Sequence, residues 1–246
     1  MTRVVIPIGR GRPDTLPYVL RSLAEHAGVT EVITVGERPK GIEPDQHIDS
    51  PNDGQPHVNI AGHLRRVCEA IDGEFIWTDD DTFTMKPWVP GVYVHRHSIA
   101  GMLRVYPNQG TWSQAVRNSI KVMKQWGHDP ETVPCGTVHR PWLVSTDRVR
   151  MVTDALNAVR GGSFRALYPA GLPNVVEASN PKILGRNVPH PDSDVISLFN
   201  DSWRYNAGRI VRETFTESSR WESAPIEGMA VAARGPARAR HRHGRR

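Results

Sequence analysis

The chain opens on a run of apolar residues without polar alternation, Val4-Val5-Ile6-Pro7-Ile8, which predicts a short strand buried on both faces. The run breaks off in Gly9-Arg10-Gly11-Arg12-Pro13, a turn-forming and basic segment. Leu16, Val19, Leu20 and Leu23 then recur at i, i+3, i+4 and i+7, the spacing of an amphipathic helix that Asp14 or Thr15 can cap. Residues 31–35 predict a second strand, closing at Gly36, and the β-α-β order favours parallel pairing with a right-handed crossover. Residues 39–57 are rich in Pro, Gly and Asp and read as a loop. Ile60, Leu64, Val67 and Ile71 mark a second amphipathic helix that Gly73 stops. Residues 74–78 predict a third strand, running directly into Asp79-Asp80-Asp81.

The second half is less regular. Val116, Ile120 and Met123 predict a helix near residues 112–126. Val149, Val152, Leu156 and Val159 predict another, with Ser145 or Thr146 as its cap. Residues 160–195 are rich in Pro, Gly and Asn and read as a long ordered loop region, and residues 204–215 as a last helix. From about 224 the chain turns Ala-, Gly- and Arg-rich, the composition of a disordered tail. Strands alternating with helices over the first eighty or so residues predict an α/β fold: an open, mostly parallel sheet flanked by helices, with an irregular C-terminal half. The expected organisation is one catalytic domain over residues 1–223, with a ligand-binding half at about 1–90 and a completing half at about 91–223, followed by an Arg-rich tail over 224–246.

Composition narrows the class. With 38% hydrophobic and 23% charged residues the chain has the make-up of a globular domain. No run approaches about 18 apolar residues, so no membrane-spanning helix is expected. The first apolar run is too short for a secretory signal, and Cys68 and Cys135 form neither a metal-type cluster nor a disulfide framework, which fits a reducing, cytoplasmic setting. The net charge of +5 comes from the tail: the last thirteen residues, Arg234 to Arg246, carry six arginines and no acid, and removing them leaves the body near −1. The tail has no interleaved aromatics for base stacking and no apolar face for lipid, so nucleic acid is not the expected partner. A polyanion binder acting through the tail is the non-enzymatic alternative.

The three aspartates carry the strongest chemistry. They sit at the carboxyl end of a strand, where open α/β sheets bind their ligands. Adjacent carboxylates repel one another unless a cation compensates, and Mg2+ or Mn2+ favours such hard oxygens and bridges to phosphates. Asp79 and Asp81 are therefore candidate metal ligands, and Asp80 a candidate contact to the bound ligand. A solvated acidic turn is the competing reading; Asp81→Ala is expected to abolish metal-dependent ligand binding without unfolding the chain, because a solvated strand-end turn contributes little to the core. Phosphohydrolases of the haloacid dehalogenase type also carry Asp-x-Asp at a strand end, but with a Thr where this chain has Phe83, and on the first strand.

An apolar strand leading into Asp-x-Asp, late in a β-α-β half, resembles the GT-A class of glycosyltransferases, and the opening strand is similar to the first strand of that fold. A narrower resemblance is to the Stealth family, GT-A-related enzymes that transfer hexose-1-phosphate from a nucleotide-sugar. Four blocks occur in that family's order over roughly residues 14 to 222. Leu16-Pro17-Tyr18-Val19-Leu20-Arg21-Ser22-Leu23 is similar to its "LRYSLRS" helix, and Phe75-Ile76-Trp77-Thr78-Asp79-Asp80-Asp81 to its "FIYLNDD" strand end. Val138-His139-Arg140-Pro141 resembles its "AHMP" segment. Ser197-Leu198-Phe199-Asn200-Asp201, followed by Phe215-Thr216-Glu217-Ser218-Ser219-Arg220-Trp221-Glu222, resembles its late "LND" and "FP..S.FE" segments. The chain departs from the pattern in having Asp79 where the family has Asn, a different leading strand, and a shorter stretch between Asp53 and Leu64.

The resemblance implies a GT-A-like catalytic domain, a nucleoside-diphosphate sugar donor, Mn2+ or Mg2+ at Asp79 and Asp81, and a glycan or protein acceptor. It implies an active-centre role for His139, whose imidazole can accept a proton or stabilise phosphate, and one for Asp201, as acceptor contact or further ligand. Arg10, Arg12 and Arg165 are the candidates for the donor diphosphate, since guanidinium forks match phosphate oxygens. The expected activity is glycosyl transfer, with Stealth-type transfer of hexose-1-phosphate as the alternative.

Overall fold

The apolar runs at 4–8, 31–35 and 74–78 all enter one sheet. The structure, a computed structural model, describes residues 2–9, 14–52, 54–199 and 201–223. Arg10, Arg12, Asn200 and the arginine-rich stretch from 224 lie outside the described residues. Strand β1 (Arg3–Ile8) is followed by helix α1 (Leu16–His26), β2 (Glu31–Gly36), β3 (Gln46–Asp49), α2 (Pro56–Ala70) and β4 (Glu74–Trp77). β1 pairs in parallel with β2, from Arg3 opposite Glu31 to Ile8 opposite Gly36, and on its other side with β4, Val5 opposite Trp77. β3 adds in parallel to the outer edge of β2. The fifth strand, β7 (Trp142–Ser145), comes from the second half of the chain and runs antiparallel to β4, giving the order β3-β2-β1-β4-β7. The fold is thus α/β, a mostly parallel mixed sheet flanked by helices.

Both faces of the sheet are covered, which is why its strands read as apolar runs without alternation. Val4, Ile6 and Ile8 pack with Leu16, Val19, Leu20 and Leu23 of α1 on one face; Val5, Ile33 and Val35 pack with Leu64 and Val67 of α2 on the other. The four α1 side chains are at most 2% exposed, and each such burial contributes roughly 1.5–3 kcal/mol. The face under α1 is closed by the C-terminal segment. Phe215 and Trp221 are buried there, and the Arg21 guanidinium donates to Glu222 Oε1 at 2.9 Å and to the Phe215 carbonyl at 2.9 Å.

The remaining elements are β5 (Thr82–Thr84), β6 (Tyr93–Val94), α3 (Ile99–Val105), α4 (Gly110–Gln125), α5 (Thr146–Ala158), α6 (Phe164–Leu167), β8 (Val176–Glu177), β9 (Lys182–Ile183), β10 (Val195–Leu198) and α7 (Asn206–Thr214). β10 lies between β5, antiparallel, and β9, parallel, in a second small sheet that begins directly after the aspartates. β6 and β8 form a two-stranded pair.

Several details differ from the reading of the sequence. The loop assigned to 39–57 contains β3, whose single apolar residue Ile48 gives no strand pattern; its pairing comes from the edge of β2. The region 160–195 holds one turn of helix and two two-residue strands among its loops. The caps are not made as expected: Thr15 and Ser145 stand at the N-cap positions of α1 and α5, but neither side chain makes the capping bond. Among the described residues no helix is long and apolar enough to cross a membrane.

Candidate active site

Because β1 is flanked by β2 on one side and β4 on the other, chain connections diverge at its carboxyl end and leave a crevice there. A cavity of about 510 Å³ occupies it, within the range of small-ligand sites. Pro7 and Gly9 from the end of β1 and Asp79, Asp80 and Asp81 from the end of β4 line its base. One wall is the start of α2, with His57, Asn59, Ile60 and His63; Trp77, Trp112 and Phe164 add aromatic surface. His139, Arg165 and Lys182 complete it from the second half of the chain.

The wall at α2 is fixed by a polar network. His63, 2% exposed, bonds Ser50 Oγ through Nδ1 at 2.8 Å and Asn52 Oδ1 through Nε2 at 3.0 Å, and Asn52 Nδ2 donates to the Ile8 carbonyl at 3.0 Å. The end of β1 and the segment after β3 are thereby joined to the middle of α2. Burial lowers the pKa of His63, which favours the neutral ring. Gly36 is required beside it: its φ is +112°, and a Cβ there would meet the Ile8 carbonyl oxygen at 2.5 Å.

The charged end of the cavity is built of two linked pairs. Asp79 Oδ2 accepts from Arg165 Nη2 at 3.0 Å and from His139 Nδ1 at 3.2 Å. Arg165 also donates through Nη1 to the carbonyls of Val138 and Arg140, at 2.9 and 3.0 Å, so it straddles His139 along the chain. Its guanidinium lies over the Trp142 ring, 5.1 Å from the centroid. Burial by itself would raise the Asp79 pKa; the charge of Arg165, the His139 hydrogen bond and charge, and Lys182 more than reverse this, so the carboxyl is held well below its usual range. In the second pair, Asp81 Oδ2 accepts from Lys182 Nζ at 2.9 Å and Oδ1 from Ser197 Oγ at 3.0 Å.

These contacts decide how far the aspartates suit a divalent ion. The carboxylate oxygens are the right chemistry for Mg2+ or Mn2+. However, Asp79 and Asp81 are already compensated, one by a guanidinium and the other by an ammonium. An ion bridging them would stand close to both cations, and each unit-charge repulsion at 4 Å amounts to about 4 kcal/mol near a protein surface. Among the described residues no group of three or more His, Cys, Asp or Glu side chains is placed to hold a metal. As arranged, Asp79 and Asp81 do not fit as a metal-ligand pair. Nor is Asp81 in a solvated turn whose loss costs the fold little: it is 8% exposed and bonded on both oxygens, so Asp81→Ala removes the carboxylate that pairs with Lys182.

Of the other candidates, His139, Asp80 and Arg165 line the same cavity, while Asp201 is exposed, begins the short turn Ser202–Arg204 and is not among the lining residues. Arg165, expected on the diphosphate, spends its two terminal nitrogens on Asp79 and on the backbone around His139. Sequence reasoning missed Lys182, Ser197, Asn52, His57, His63 and Trp112. Only the position of Asn52 just ahead of a helix that follows a strand, and of His57 in that helix's first turn, offered a signal for any of them. No protein-family model matches the chain, and no curated protein matches it in sequence.

Proposed function

We propose that the chain is a transferase that takes its group from a nucleoside-diphosphate sugar, on a GT-A-like fold, with His139 as general base. The observation that carries this reading is the hydrogen bond from His139 to an ionised Asp79 inside the strand-end cavity. An ionised carboxylate can only accept, so Nδ1 carries the hydrogen and Nε2 is left as the basic nitrogen. Among the described residues Nε2 makes no hydrogen bond, and the His139 side chain is 37% exposed. An acceptor hydroxyl entering the cavity meets a base already oriented, a contribution typically worth about 10²- to 10⁴-fold in rate.

In glycosyl transfer the acceptor oxygen bonds the anomeric carbon, the bond from that carbon to the diphosphate breaks, and a nucleoside diphosphate leaves while His139 takes the hydroxyl proton. In transfer of a sugar phosphate the acceptor oxygen bonds the phosphorus next to the sugar, the bond from that phosphorus to the bridging oxygen breaks, and a nucleoside monophosphate leaves while His139 takes the hydroxyl proton. Both versions draw on the way the Stealth-like blocks meet. Asp79 and His139 are 60 residues apart, and Asp81 and Ser197 are 116 apart, yet each pair is in hydrogen-bond contact beside one cavity.

Phosphorus NMR of the protein with a panel of nucleoside-diphosphate sugars and candidate glycan or protein acceptors tests the assignment of the base. Turnover of one donor that is lost in His139→Gln, with donor affinity retained, is expected. Undiminished turnover in that variant would remove His139 from the chemistry.

A further inference from the structure

Adjacent carboxylates at a strand end call for a compensating cation, and among the described residues a lysine stands in direct contact with Asp81. Lys182 Nζ lies 2.9 Å from Asp81 Oδ2, 3.1 Å from Ser197 Oγ and 3.4 Å from the Leu198 carbonyl, with the Phe199 ring centroid 5.8 Å away. Its side chain is only 17% exposed, and the residue lines the cavity. The placement is set by the backbone. Lys182 is the register partner of Ser197 across β9 and β10, and Ser197 is the partner of Thr82, the residue after Asp81, across β10 and β5. Three strands therefore bring the ammonium, the hydroxyl and the carboxylate together.

Arg165 and Lys182, the cations that pair with Asp79 and Asp81 among the described residues, are not equivalent. Arg165 is committed to the Val138 and Arg140 carbonyls as well as to Asp79, so it serves to position His139. Lys182 has one long contact, to the Leu198 carbonyl, that a phosphate oxygen can replace with a shorter, charge-assisted one. A lysine suits this role because it binds phosphate as a compact point charge.

We propose that Lys182 is a tethered cation standing where a divalent metal would otherwise act, that it contacts a phosphate of the sugar donor, and that donor binding needs neither Mg2+ nor Mn2+. This rests on the nucleotide-sugar reading above. The test is calorimetric titration of UDP, GDP, ADP, CDP and dTDP into EDTA-treated protein, repeated with Mn2+, for wild type, Lys182→Met and the double variant Asp81→Asn/Lys182→Met. The double variant leaves no unpaired carboxylate and so guards against a folding defect.

At least one nucleotide should bind the wild type in EDTA, with an affinity that Mn2+ leaves unchanged. Lys182→Met should weaken that binding by about 10- to 100-fold, the range for a lost hydrogen bond to a charged group. Mn2+ should recover part of the loss in Lys182→Met, where Asp81 no longer pairs with the ammonium but keeps its charge, and none in the double variant, a pattern that a purely structural lysine does not produce. Binding to the wild type only when Mn2+ is present would overturn the role of Lys182 and leave the nucleotide reading standing. No binding of any nucleotide under either condition would remove both.

Discussion

Replacing Asp79 by Asn separates two pictures of the aspartate cluster by the sign of the effect on stability. The substitution keeps the shape of the side chain and a carbonyl acceptor but removes the charge. In the structure that charge holds the Arg165 guanidinium at 3.0 Å and the His139 imidazole at 3.2 Å, with the Asp79 side chain 22% exposed. Hydrogen bonds to charged groups contribute roughly 1.5–3 kcal/mol. Arg165 retains its two backbone carbonyls after the change, so a net loss of about 1.5–3 kcal/mol is expected and not the larger penalty of a stranded buried charge. For a chain of this size each kcal/mol lowers Tm by about 2–4 °C. The pH dependence follows from the depressed pKa. A carboxyl whose folded pKa lies below its ordinary 3.8 stabilises the fold above that value and loses the contribution as pH falls below it. The gap between wild type and Asp79→Asn should be full at pH 7 and should shrink as the pH drops below about 4. Urea unfolding in EDTA, at pH 7 and at several acidic values, measures both. If the carboxylates were instead mutually repelling ligands waiting for a metal, removing one would stabilise the metal-free protein. An Asp79→Asn variant more stable than wild type in EDTA would refute the pairing argument.

Three further outcomes follow from the same contacts. Arg165→Lys cannot span the Val138 carbonyl, the Arg140 carbonyl and Asp79 at once; kcat should fall with donor Kd nearly unchanged, and a change confined to Kd would make Arg165 a phosphate ligand after all. Gly136→Ala would place its Cβ 2.2 Å from the Arg165 carbonyl oxygen and 2.7 Å from Trp142, so a loss of about 1–3 kcal/mol from overpacking is expected in urea unfolding; wild-type stability would mean this segment yields. Glu222→Gln weakens the contact to Arg21 that fastens the C-terminal segment over α1; limited proteolysis should show earlier cleavage in residues 215–223, and since the Glu222 carboxyl is held below its ordinary 4.5, burial being outweighed by Arg21 and Ser219, wild type should approach the variant as pH falls below that value.

The elements legible in the sequence are those whose own apolar spacing sets their burial. β1, β2, β4, α1, α2 and α5 pack through the side chains that marked them, as with Val149, Val152 and Leu156 of α5, all 0% exposed. The elements that escaped depend on a partner far away in the chain. β7 runs straight into α5 at Ser145–Thr146, so its four residues carry no boundary of their own, and it is a strand because β4 lies beside it. The site divides in the same way. The aspartates announced themselves by repetition and His139 by resemblance, but their partners did not. Lys182 stands 101 residues from Asp81, in a two-residue strand with no periodic signal, and is placed by the register of β9 and β10. The aspartate run suggested a metal, whereas Arg165 and Lys182, the cations folded against two of the three carboxylates, gave no signal of that pairing in the sequence.

The most direct measurement is mass spectrometry of the nucleotide released when the purified protein is incubated with a panel of nucleoside-diphosphate sugars and candidate acceptors, in EDTA and in Mn2+. Release of one nucleotide from one donor, dependent on acceptor and on His139, is the expected result. A monophosphate identifies sugar-phosphate transfer and a diphosphate identifies glycosyl transfer. No nucleotide released from any donor, with or without Mn2+, would contradict the transferase reading itself.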